Sequence, residues 1–182
     1  DALDAELPKY LENQPQLAYI IGRDMAWDTQ VMGWLNAVRT KVRSGVQAPV
    51  RLVDARVWLD EMRLVKDDHE LALMRRAAEI STRAHGIAMR ATRPGRHEYE
   101  IEAEMLCAFR SGGAAAPAYT SIVASGANAC VLHYVFNDRP LADGDLLLID
   151  AAAEFGSYAA DITRTFPVNG RFSAAQRDVY EL

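Results

Sequence analysis

The first third of the chain alternates short apolar runs with amphipathic segments. Apolar residues at 17–21 predict a strand that ends at Gly22, and Asp24 is placed to cap the helix that follows. A second strand is predicted at 50–53 and a short helix at 55–62. The helix between the two strands has one apolar face, which we interpret as core: Trp27, Val31, Trp34, Leu35, Val38 and Val42. Alternation of strand and helix is typical of an α/β domain.

From residue 66 onward the pattern changes to two helices followed by strands. Asp67 is the predicted N-cap of a long helix, and Glu70 falls three residues later, as a capping box requires. Small apolar residues keep to one face of this helix until Pro94 and Gly95 break it. A second helix is predicted over 97–110, with three residues turned inward: Ile101, Met105 and Phe109. Two helices before a group of strands predict an α+β fold.

A β-hairpin is predicted in the last third of the chain. Its first strand is an apolar run at 146–149 that ends abruptly in Asp150. Its second strand, residues 158–166, is rich in threonine and aromatic residues and alternates polar with apolar positions from Asp161 onward. The segment 154–157 between the strands contains a glycine and predicts a tight turn.

The register of this hairpin decides where two carboxylates lie. If Phe155 and Gly156 are the central turn residues, Asp150 lies directly opposite Asp161 on the same face. Carboxylates so placed, with Cβ atoms about 4.5–5.5 Å apart, repel each other, so we expect a shared proton or a divalent cation to offset the repulsion. A solvated face, on which the repulsion is small, is the alternative. The apolar run before Asp150 favours the cation, because it predicts a strand in the core.

Composition narrows the possible partners. Hydrophobic residues make up 50% of the 182 residues, the net charge is −5 and the pI is about 5.4. Disorder is therefore not expected, and without a basic patch we expect no nucleic-acid partner. No apolar stretch approaches the roughly 18 residues that span a bilayer, and no secretory pattern opens the sequence, so we expect no membrane association and a cytoplasmic location. Cys107 and Cys130 are interpreted as reduced core thiols.

Both ends of the chain read as internal sequence. The chain opens on Asp1 rather than on methionine, and it stops at Leu182 in a segment with the pattern of a helix. We therefore expect it to be part of a longer protein.

The hairpin and two segments before it resemble the pita-bread metallopeptidases of family M24. From residue 146 the hairpin reads LLLIDAAAEFGSYAADITRTFPVNGRF, and its counterpart in that family binds metal. Residues 119–126 (YTSIVASG) and 130–134 (CVLHY) resemble the family's substrate-side segment, with the same 17-residue step from His133 to Asp150. Several linked motifs at consistent spacing are far more specific than any one of them.

This resemblance implies a fold and a domain organisation. It begins near residue 61 and is greatest to the bacterial Xaa-Pro aminopeptidases (aminopeptidase P) of the family. It implies an α+β fold in which residues 65–182 are the first half, truncated, of a pita-bread (creatinase/aminopeptidase) catalytic domain. Residues 1–64 would be the C-terminal part of an α/β N-terminal domain. In bacterial members that domain contributes to oligomer contacts, so the full-length protein is expected to be a homo-oligomer.

Roles for four residues follow from the resemblance. Asp150 matches the ligand that binds one metal ion through both oxygens, and Asp161 matches the ligand that bridges two ions. His133 matches a residue that contacts substrate and stabilises developing charge, which makes it the catalytic candidate. Tyr119 matches a residue that lines the same cavity, so Tyr119 and His133 are the substrate-binding candidates.

Other interpretations of these residues stay open when the resemblance is set aside. A lone histidine in the apolar segment Val-Leu-His-Tyr, taken as a strand, is more often a satisfied core residue than a functional one. Tyr119 is equally well a strand-edge aromatic. The remaining histidines match no family role and are interpreted as surface or helix-face residues: His69, His85 and His97.

The activity implied by the resemblance is that of a dinuclear metallopeptidase. Two divalent ions, which we expect to be Mn²⁺, would serve the release of an N-terminal residue from a peptide with proline at the second position. The family completes its site with one histidine and two glutamates, yet after Asp161 this chain has no histidine and only Glu181. Since each cation usually needs about six ligands, we expect the chain alone to bind metal weakly and to hydrolyse nothing.

Three alternatives to this activity stay open. Prolidase performs the same chemistry on dipeptides only, and the first half of the fold does not separate the two enzymes. A non-catalytic pita-bread binding protein would be favoured by loss of Asp150 or Asp161, and both are present. A split or truncated product, inactive until it pairs with its missing half, is the third.

Overall fold

A computed structural model describes residues 2–182 of the chain. These residues form two compact units, one ending at Val65 and the other beginning at Lys66, and each unit has its own hydrophobic core. Among the described residues, no helix combines the length and the hydropathy that a membrane span needs.

The first unit contains a β-α-β arrangement with further helices on either side. Its elements in chain order are α1 (Ala2–Leu11), β1 (Gln16–Tyr19), α2 (Met25–Arg39), a 3-10 turn (Thr40–Ser44), β2 (Arg51–Asp54) and α3 (Arg56–Leu64). Strands β1 and β2 pair in parallel, with Gln16 opposite Arg51 and Tyr19 opposite Asp54. Parallel neighbours need a crossover connection, and here α2 lies within it.

Helix α2 supplies most of the core of the first unit. As predicted, its N-cap is Asp24, whose carboxylate accepts the N–H groups of Ala26 and Trp27 at 2.9 and 3.2 Å. The buried face of α2 consists of Val31, Trp34, Leu35 and Val38. Trp27 is 40% exposed and meets the Trp34 ring edge-on, so it covers the core rather than lying within it. Val42 falls beyond the end of α2 and is exposed, because the helical face ends with the helix.

Two long helices open the second unit, α4 (Asp68–Ala91) and α5 (Glu98–Ser111). The predicted capping box is present: Asp67 accepts the N–H of Glu70, and Glu70 accepts the N–H of Asp67, each at 2.8 Å. The inward residues predicted for α5 are fully buried: Ile101, Met105 and Phe109. The buried face of α4 carries two polar residues among apolar ones: Ala77, Ile80, Ser81, Ala84, His85 and Ala88.

Six short strands then form two three-stranded antiparallel sheets. They are β3 (Ala116–Pro117), β4 (Ile122–Ser125), β5 (Leu146–Asp150), β6 (Ala153–Phe155), β7 (Tyr158–Ala159) and β8 (Thr163–Pro167). One sheet has the order β3-β6-β7 and the other the order β4-β5-β8. A short helix, α6 (Ala174–Tyr180), follows. Long helices followed by antiparallel sheets confirm the predicted α+β class.

The predicted hairpin exists, but both of its arms are interrupted. Strand β5 ends at Asp150, and β6 begins only after Ala151 and Ala152. Across from this gap, β7 and β8 are separated by residues 160–162. The tip of the hairpin therefore belongs to one sheet and its base to the other.

The turn of the hairpin lies one residue further along than predicted. Phe155 pairs with Tyr158, so the central residues are Gly156 and Ser157 rather than Phe155 and Gly156. Both central residues have positive φ, 58° and 67°, which are the signs that a type I′ turn requires. The side chain of Glu154 accepts the N–H of Ser157 at 3.1 Å and stabilises this arrangement.

The shifted turn changes the partner of the first carboxylate. Asp150 pairs with Thr163, and the predicted direct opposition to Asp161 is wrong. Asp161 lies in the gap between β7 and β8 and takes part in neither ladder. Any approach of the two carboxylates must therefore depend on the backbone of the gaps rather than on sheet pairing.

The two cysteines were predicted to be core thiols, and this prediction is wrong about their position. Cys107 and Cys130 are unpaired, but both are exposed. Cys107 lies on the outer face of α5, between the inward positions Met105 and Phe109. Cys130 ends a 3-10 turn (Gly126–Cys130) that leads into an exposed loop.

Candidate functional site

The two carboxylates converge on the hydroxyl of one tyrosine. The Tyr119 oxygen lies 2.5 Å from Oδ1 of Asp150 and 2.9 Å from Oδ1 of Asp161. These two carboxylate oxygens are therefore no farther apart than the sum of those distances, although the residues are not paired in a sheet. A phenol has a single hydrogen, so it can donate to only one of the two carboxylates at a time.

Tyr119 remains a hydrogen-bond donor at neutral pH. Burial raises the pKa of its hydroxyl well above the ordinary value, and the hydrogen bonds to Asp150 and Asp161 raise that pKa further. A neutral phenol between two carboxylates reduces their repulsion only in part. A positively charged group at this point would reduce it further.

The backbone of the first gap is held by four hydrogen bonds. The N–H of Ala151 donates to the carbonyl of Ile162 at 3.3 Å, and the N–H of Ala118 donates to the carbonyl of Ala152 at 2.8 Å. From the side of α4, Ser81 Oγ accepts the N–H of Ala153 at 2.9 Å, and His85 Nε2 lies 3.1 Å from the carbonyl oxygen of Ala151. The bond between Ala118 and Ala152 connects the residue before Tyr119 to the gap that follows Asp150.

His85 was interpreted as a surface or helix-face residue, and it lies on a buried helix face with only 3% of its surface exposed. Its contact to the Ala151 carbonyl requires a hydrogen on Nε2. Burial lowers the pKa of the imidazole, which outweighs the opposing effect of this hydrogen bond, so the ring is neutral at pH 7. In the sequence, Ser81 and His85 could have been recognised as buried polar residues because each stands on a face of α4 that otherwise carries apolar side chains.

His133 lies in a turn and not in a strand, which corrects the interpretation of the Val-Leu-His-Tyr segment. Its φ is 54°, an uncommon value for a residue with a side chain, and it is exposed. His133 and Asp150 line the same cleft, of about 290 Å³, whose other walls are mainly apolar: Ile122, Ala124, Ala129, Val131, Leu132 and Leu148. A larger hollow of about 700 Å³ lies between β8 and α6 and contains none of the four predicted site residues.

The predicted site residues thus fall into two groups that share Asp150. The Tyr119 hydroxyl is within hydrogen-bonding distance of both Asp150 and Asp161, while His133 lines the same cleft as Asp150. Glu98, which was not singled out from the sequence, is completely buried and bonded to the loop that carries His133. Glu98 does not stand out in the sequence because it lies in the first turn of α5, where an acidic residue is expected from its favourable interaction with the helix dipole.

The acidic pair fits part of the coordination shell of a hard divalent cation. Carboxylate oxygens are the ligands that Mg²⁺, Ca²⁺ and Mn²⁺ prefer, and two of them are directed here at one point. Within residues 2–182, however, no group of three or more His, Cys, Asp and Glu residues is arranged to hold a metal ion. The described residues therefore offer two carboxylates that suit such a site and not a complete set of ligands.

The sequence from residue 72 to residue 182 matches the profile of metallopeptidase family M24. The chain belongs to this family. Membership of M24 implies that divalent metal ions take part in the chemistry, in agreement with the convergence of Asp150 and Asp161 on one point.

Curated M24 relatives carry the name Xaa-Pro aminopeptidase. The protein of that name from Haemophilus influenzae is 57% identical over 131 residues, which is 72% of this chain and 30% of the relative. The one from Escherichia coli is 47% identical over 155 residues, which is 85% of this chain and 35% of the relative. The chain thus spans about a third of the length of these relatives.

Solved M24 structures superpose on the chain closely. The aminopeptidase PepP of Pseudomonas aeruginosa matches with a TM-score of 0.96 and 49% identity, over 98% of this chain and 40% of that one. A variant of Escherichia coli aminopeptidase P in complex with substrate matches with a TM-score of 0.94 and 42% identity, over 98% of this chain and 41% of that one. The chain therefore has the pita-bread fold of aminopeptidase P over the part that it covers.

Proposed function

We propose that this M24 protein is a metallo-aminopeptidase that releases the N-terminal residue of a peptide with proline at the second position. The observation that carries the proposal is the convergence of Asp150 and Asp161 on the Tyr119 hydroxyl, within a fold matched by aminopeptidase P. The names of the curated relatives support the same substrate class. These names also favour the aminopeptidase over prolidase.

Asp150 and Asp161 would hold two divalent ions, which we propose to be Mn²⁺. When bound, such ions supply a Lewis acid for the peptide carbonyl and lower the pKa of a water molecule. The remaining ligands would be one histidine and two glutamates outside this chain. For this reason we expect residues 1–182 alone to bind metal weakly and to lack activity.

Two other residues would act on the substrate. His133, which lines the same cleft as Asp150, would donate a hydrogen bond to the substrate and stabilise the negative charge that develops on it. Tyr119 would line the same cavity and orient both carboxylates. The imide nitrogen of an Xaa-Pro bond carries no hydrogen, so its recognition depends on shape and on the carbonyl groups around it.

The two units would have separate roles. Residues 65–182 would form the first half of the catalytic domain, and residues 1–64 would be the end of an N-terminal domain that takes part in a homo-oligomer. We propose a cytoplasmic location for the full-length protein. Its partners would be peptides, with no nucleic acid and no membrane.

The test of this function is Asp161→Asn in the full-length protein. The exchange keeps the size of the side chain but removes a charged ligand, so metal content and hydrolysis should fall together. Asp60→Asn, the same exchange at an exposed position in α3, is the matched control and should leave both unchanged. Metal per protomer is measured by elemental analysis. Full activity with stoichiometric Mn²⁺ in Asp161→Asn would defeat the proposal.

The substrate class is tested with a short peptide series on the wild-type protein. Ala-Pro-Ala should be cleaved between its first two residues, and Ala-Ala-Ala should be cleaved far more slowly. Comparison of Ala-Pro with Ala-Pro-Ala separates the proposed enzyme from prolidase, because a prolidase cleaves the dipeptide and not the tripeptide. Equal rates on Ala-Pro-Ala and Ala-Ala-Ala would contradict the proline preference.

A further inference from the structure

Glu98 is a carboxylate with no exposed surface and a dense set of hydrogen-bond donors. Its Oε1 accepts the backbone N–H of Ser125 at 2.6 Å and the side-chain amide of Asn128 at 3.1 Å. Its Oε2 accepts the hydroxyl of Tyr134 at 2.8 Å and the backbone N–H of Arg139 at 2.9 Å. All four donors are neutral groups. A buried carboxylate is tolerated only when its lone pairs are satisfied in this way.

The donors that Glu98 collects all belong to one stretch of chain, residues 125–139. Ser125 lies at its beginning and Arg139 at its end, so the carboxylate closes the stretch into a loop. His133 lies within this loop, at φ 54°. Such a backbone conformation costs free energy and persists only when the surrounding structure holds it.

Tyr134, the neighbour of His133, links the exposed imidazole to the buried carboxylate. Its ring is 6% exposed, whereas His133 next to it faces the cleft. Burial, with a smaller effect of the hydrogen bond to Glu98, raises the pKa of the Tyr134 hydroxyl to about 12. The hydroxyl therefore stays protonated across the whole physiological pH range, and its single hydrogen has two acceptors within reach, Glu98 Oε2 at 2.8 Å and Asp138 Oδ1 at 3.0 Å.

A second anchor holds the far side of the same loop. Asn137 is 1% exposed and has a φ of 50°. Its Oδ1 accepts the N–H of Val123 at 3.0 Å, and its Nδ2 donates to the carbonyl of Ser121 at 2.9 Å. The loop is thus fixed to β4 through Asn137 and to α5 through the four donors of Glu98, and His133 lies in the chain between two of those donors, Asn128 and Tyr134.

We propose that Glu98 is a positioning residue for His133, and that it acts through the hydroxyl of Tyr134. This inference rests on the proposed function to the extent that His133 contacts substrate. The carboxylate touches no substrate itself. It sets the direction from which the imidazole approaches the acidic pair by fixing the next residue along the chain.

A positioning role differs from a general contribution to the core in one measurable way. If Glu98 and Tyr134 act through His133, their effect on turnover disappears once the imidazole is gone. If they only stabilise the fold, their effect on turnover is the same with or without the imidazole. A double-mutant cycle separates these cases.

The cycle uses Tyr134→Phe, which keeps the buried ring and removes only the hydroxyl. It is made in the full-length, Mn²⁺-loaded protein, alone and together with His133→Ala. We expect Tyr134→Phe to lower kcat by about tenfold or more with little change in KM and in metal content, because small displacements of a reacting group are costly. In the His133→Ala background the same change should lower kcat by less than about twofold. Equal factors in both backgrounds would overturn the proposal.

A second measurement does not depend on activity. Hydrogen exchange of the backbone amides in residues 126–139 should become faster in Tyr134→Phe, while exchange in α4 stays as in the wild type. Tyr99→Phe, on an exposed ring beside Glu98 in α5, is the matched control and should change neither exchange nor kcat. Unchanged exchange in Tyr134→Phe would show that the hydroxyl does not hold the loop.

The two measurements also separate this inference from the proposed function. If the wild-type protein fails to cleave any Xaa-Pro peptide, the proposed function is wrong, and the exchange experiment alone decides whether Glu98 anchors the loop. If cleavage is observed and the cycle is additive, the function stands and the positioning role is wrong.

Discussion

The hydroxyl oxygen of Ser81 accepts the backbone N–H of Ala153 at 2.9 Å, although the two residues are far apart in the sequence. Strand β6 begins at Ala153, directly after the gap that follows Asp150. At this position a sheet neighbour would normally satisfy the N–H. Here a helix does so instead, which joins α4 to β6 three residues after the first carboxylate.

Removal of the Ser81 hydroxyl should destabilise the protein more than the loss of a single oxygen atom would suggest. Ser81→Ala leaves a buried N–H without an acceptor, and the free energy of unfolding should fall by about 1–3 kcal/mol. Thr82→Ala, at the next and exposed position of α4, should change it by less than about 0.5 kcal/mol. Denaturant titration of the metal-free, full-length protein measures both. Equal values for the two variants would contradict the assigned hydrogen bond.

His85 predicts that the protein loses stability on mild acidification. Burial holds the pKa of His85 in the folded protein below its ordinary value of 6.5. The positive charge of Arg164 lowers this pKa further. The negative charge of Asp150 raises it, but by less than burial lowers it. As the pH falls below about 6.5, the unfolded chain takes up a proton that the folded protein does not. The free energy of unfolding should therefore decrease, by at most about 1.4 kcal/mol per pH unit, until the folded pKa is passed.

His85→Gln isolates this effect, because the variant keeps a side-chain donor for the Ala151 carbonyl but cannot titrate. The difference in unfolding free energy between wild type and variant should change between pH 7 and pH 5, in the direction of a relatively weaker wild type. All other titratable groups are common to both proteins. A difference that stays constant over this range would show that His85 is protonated equally in the folded and unfolded states.

The Tyr119 hydroxyl should matter most when no metal is bound. Tyr119→Phe removes the donor between Asp150 and Asp161, and the free energy of unfolding of the metal-free protein should fall by about 1–2 kcal/mol, since hydrogen bonds to charged groups are the stronger ones. In saturating Mn²⁺ the difference should shrink, because a cation would then offset the repulsion. Tyr10→Phe, at an exposed position, is the control. The same difference with and without Mn²⁺ would contradict a cation between the two carboxylates.

The turn of the hairpin predicts opposite effects for two neighbouring substitutions. Gly156 has a φ of 58°, and a Cβ there would lie 3.0 Å from the Leu73 side chain, so Gly156→Ala should lower the free energy of unfolding by about 1–2 kcal/mol. Ser157 holds a φ of 67° with a side chain, so Ser157→Gly should raise that free energy by up to about 1 kcal/mol. Thermal unfolding measures both, and shifts of the same sign would argue against the type I′ turn.

Features that depend on neighbours in the sequence were predictable. The capping box at Asp67 and Glu70, the Asp24 cap and the buried face of α5 all follow from spacings within one helix. The order of helices and strands, and with it the α+β class, follows from the same local patterns. The resemblance added Tyr119, which no local pattern singles out and which the structure brings into contact with both carboxylates.

The hairpin register was not predictable, because the turn segment allows two solutions. The turn can be centred on Phe155 and Gly156 or on Gly156 and Ser157, and both solutions use the same glycine. The second solution requires a serine at positive φ. No feature of the sequence indicates that Ser157 adopts a positive φ. A shift of the centre by one residue moves every cross-strand partner by two, which keeps the face but separates Asp150 from Asp161 in the ladder.

The partners of the buried polar residues were unpredictable for a different reason. Ser81, His85 and Glu98 are buried because their partners, the backbone of residues 151–153 and the loop 125–139, are brought to them by the tertiary fold. A sequence pattern records that a polar residue stands on an apolar face. It does not record which distant backbone group will meet it.

Three consecutive alanines, 151–153, have no exposed surface, and the first and the last of them pack in one core cluster with residues of α4. A methyl group added to either of these two would press against the helix, and the backbone would respond by moving outward. Asp150 would travel with it, away from its acidic neighbour. Side-chain volume on the α4 side thus controls the spacing of the two acids, and an enlargement such as Ala151→Val would weaken the proposed metal binding without altering a single charge.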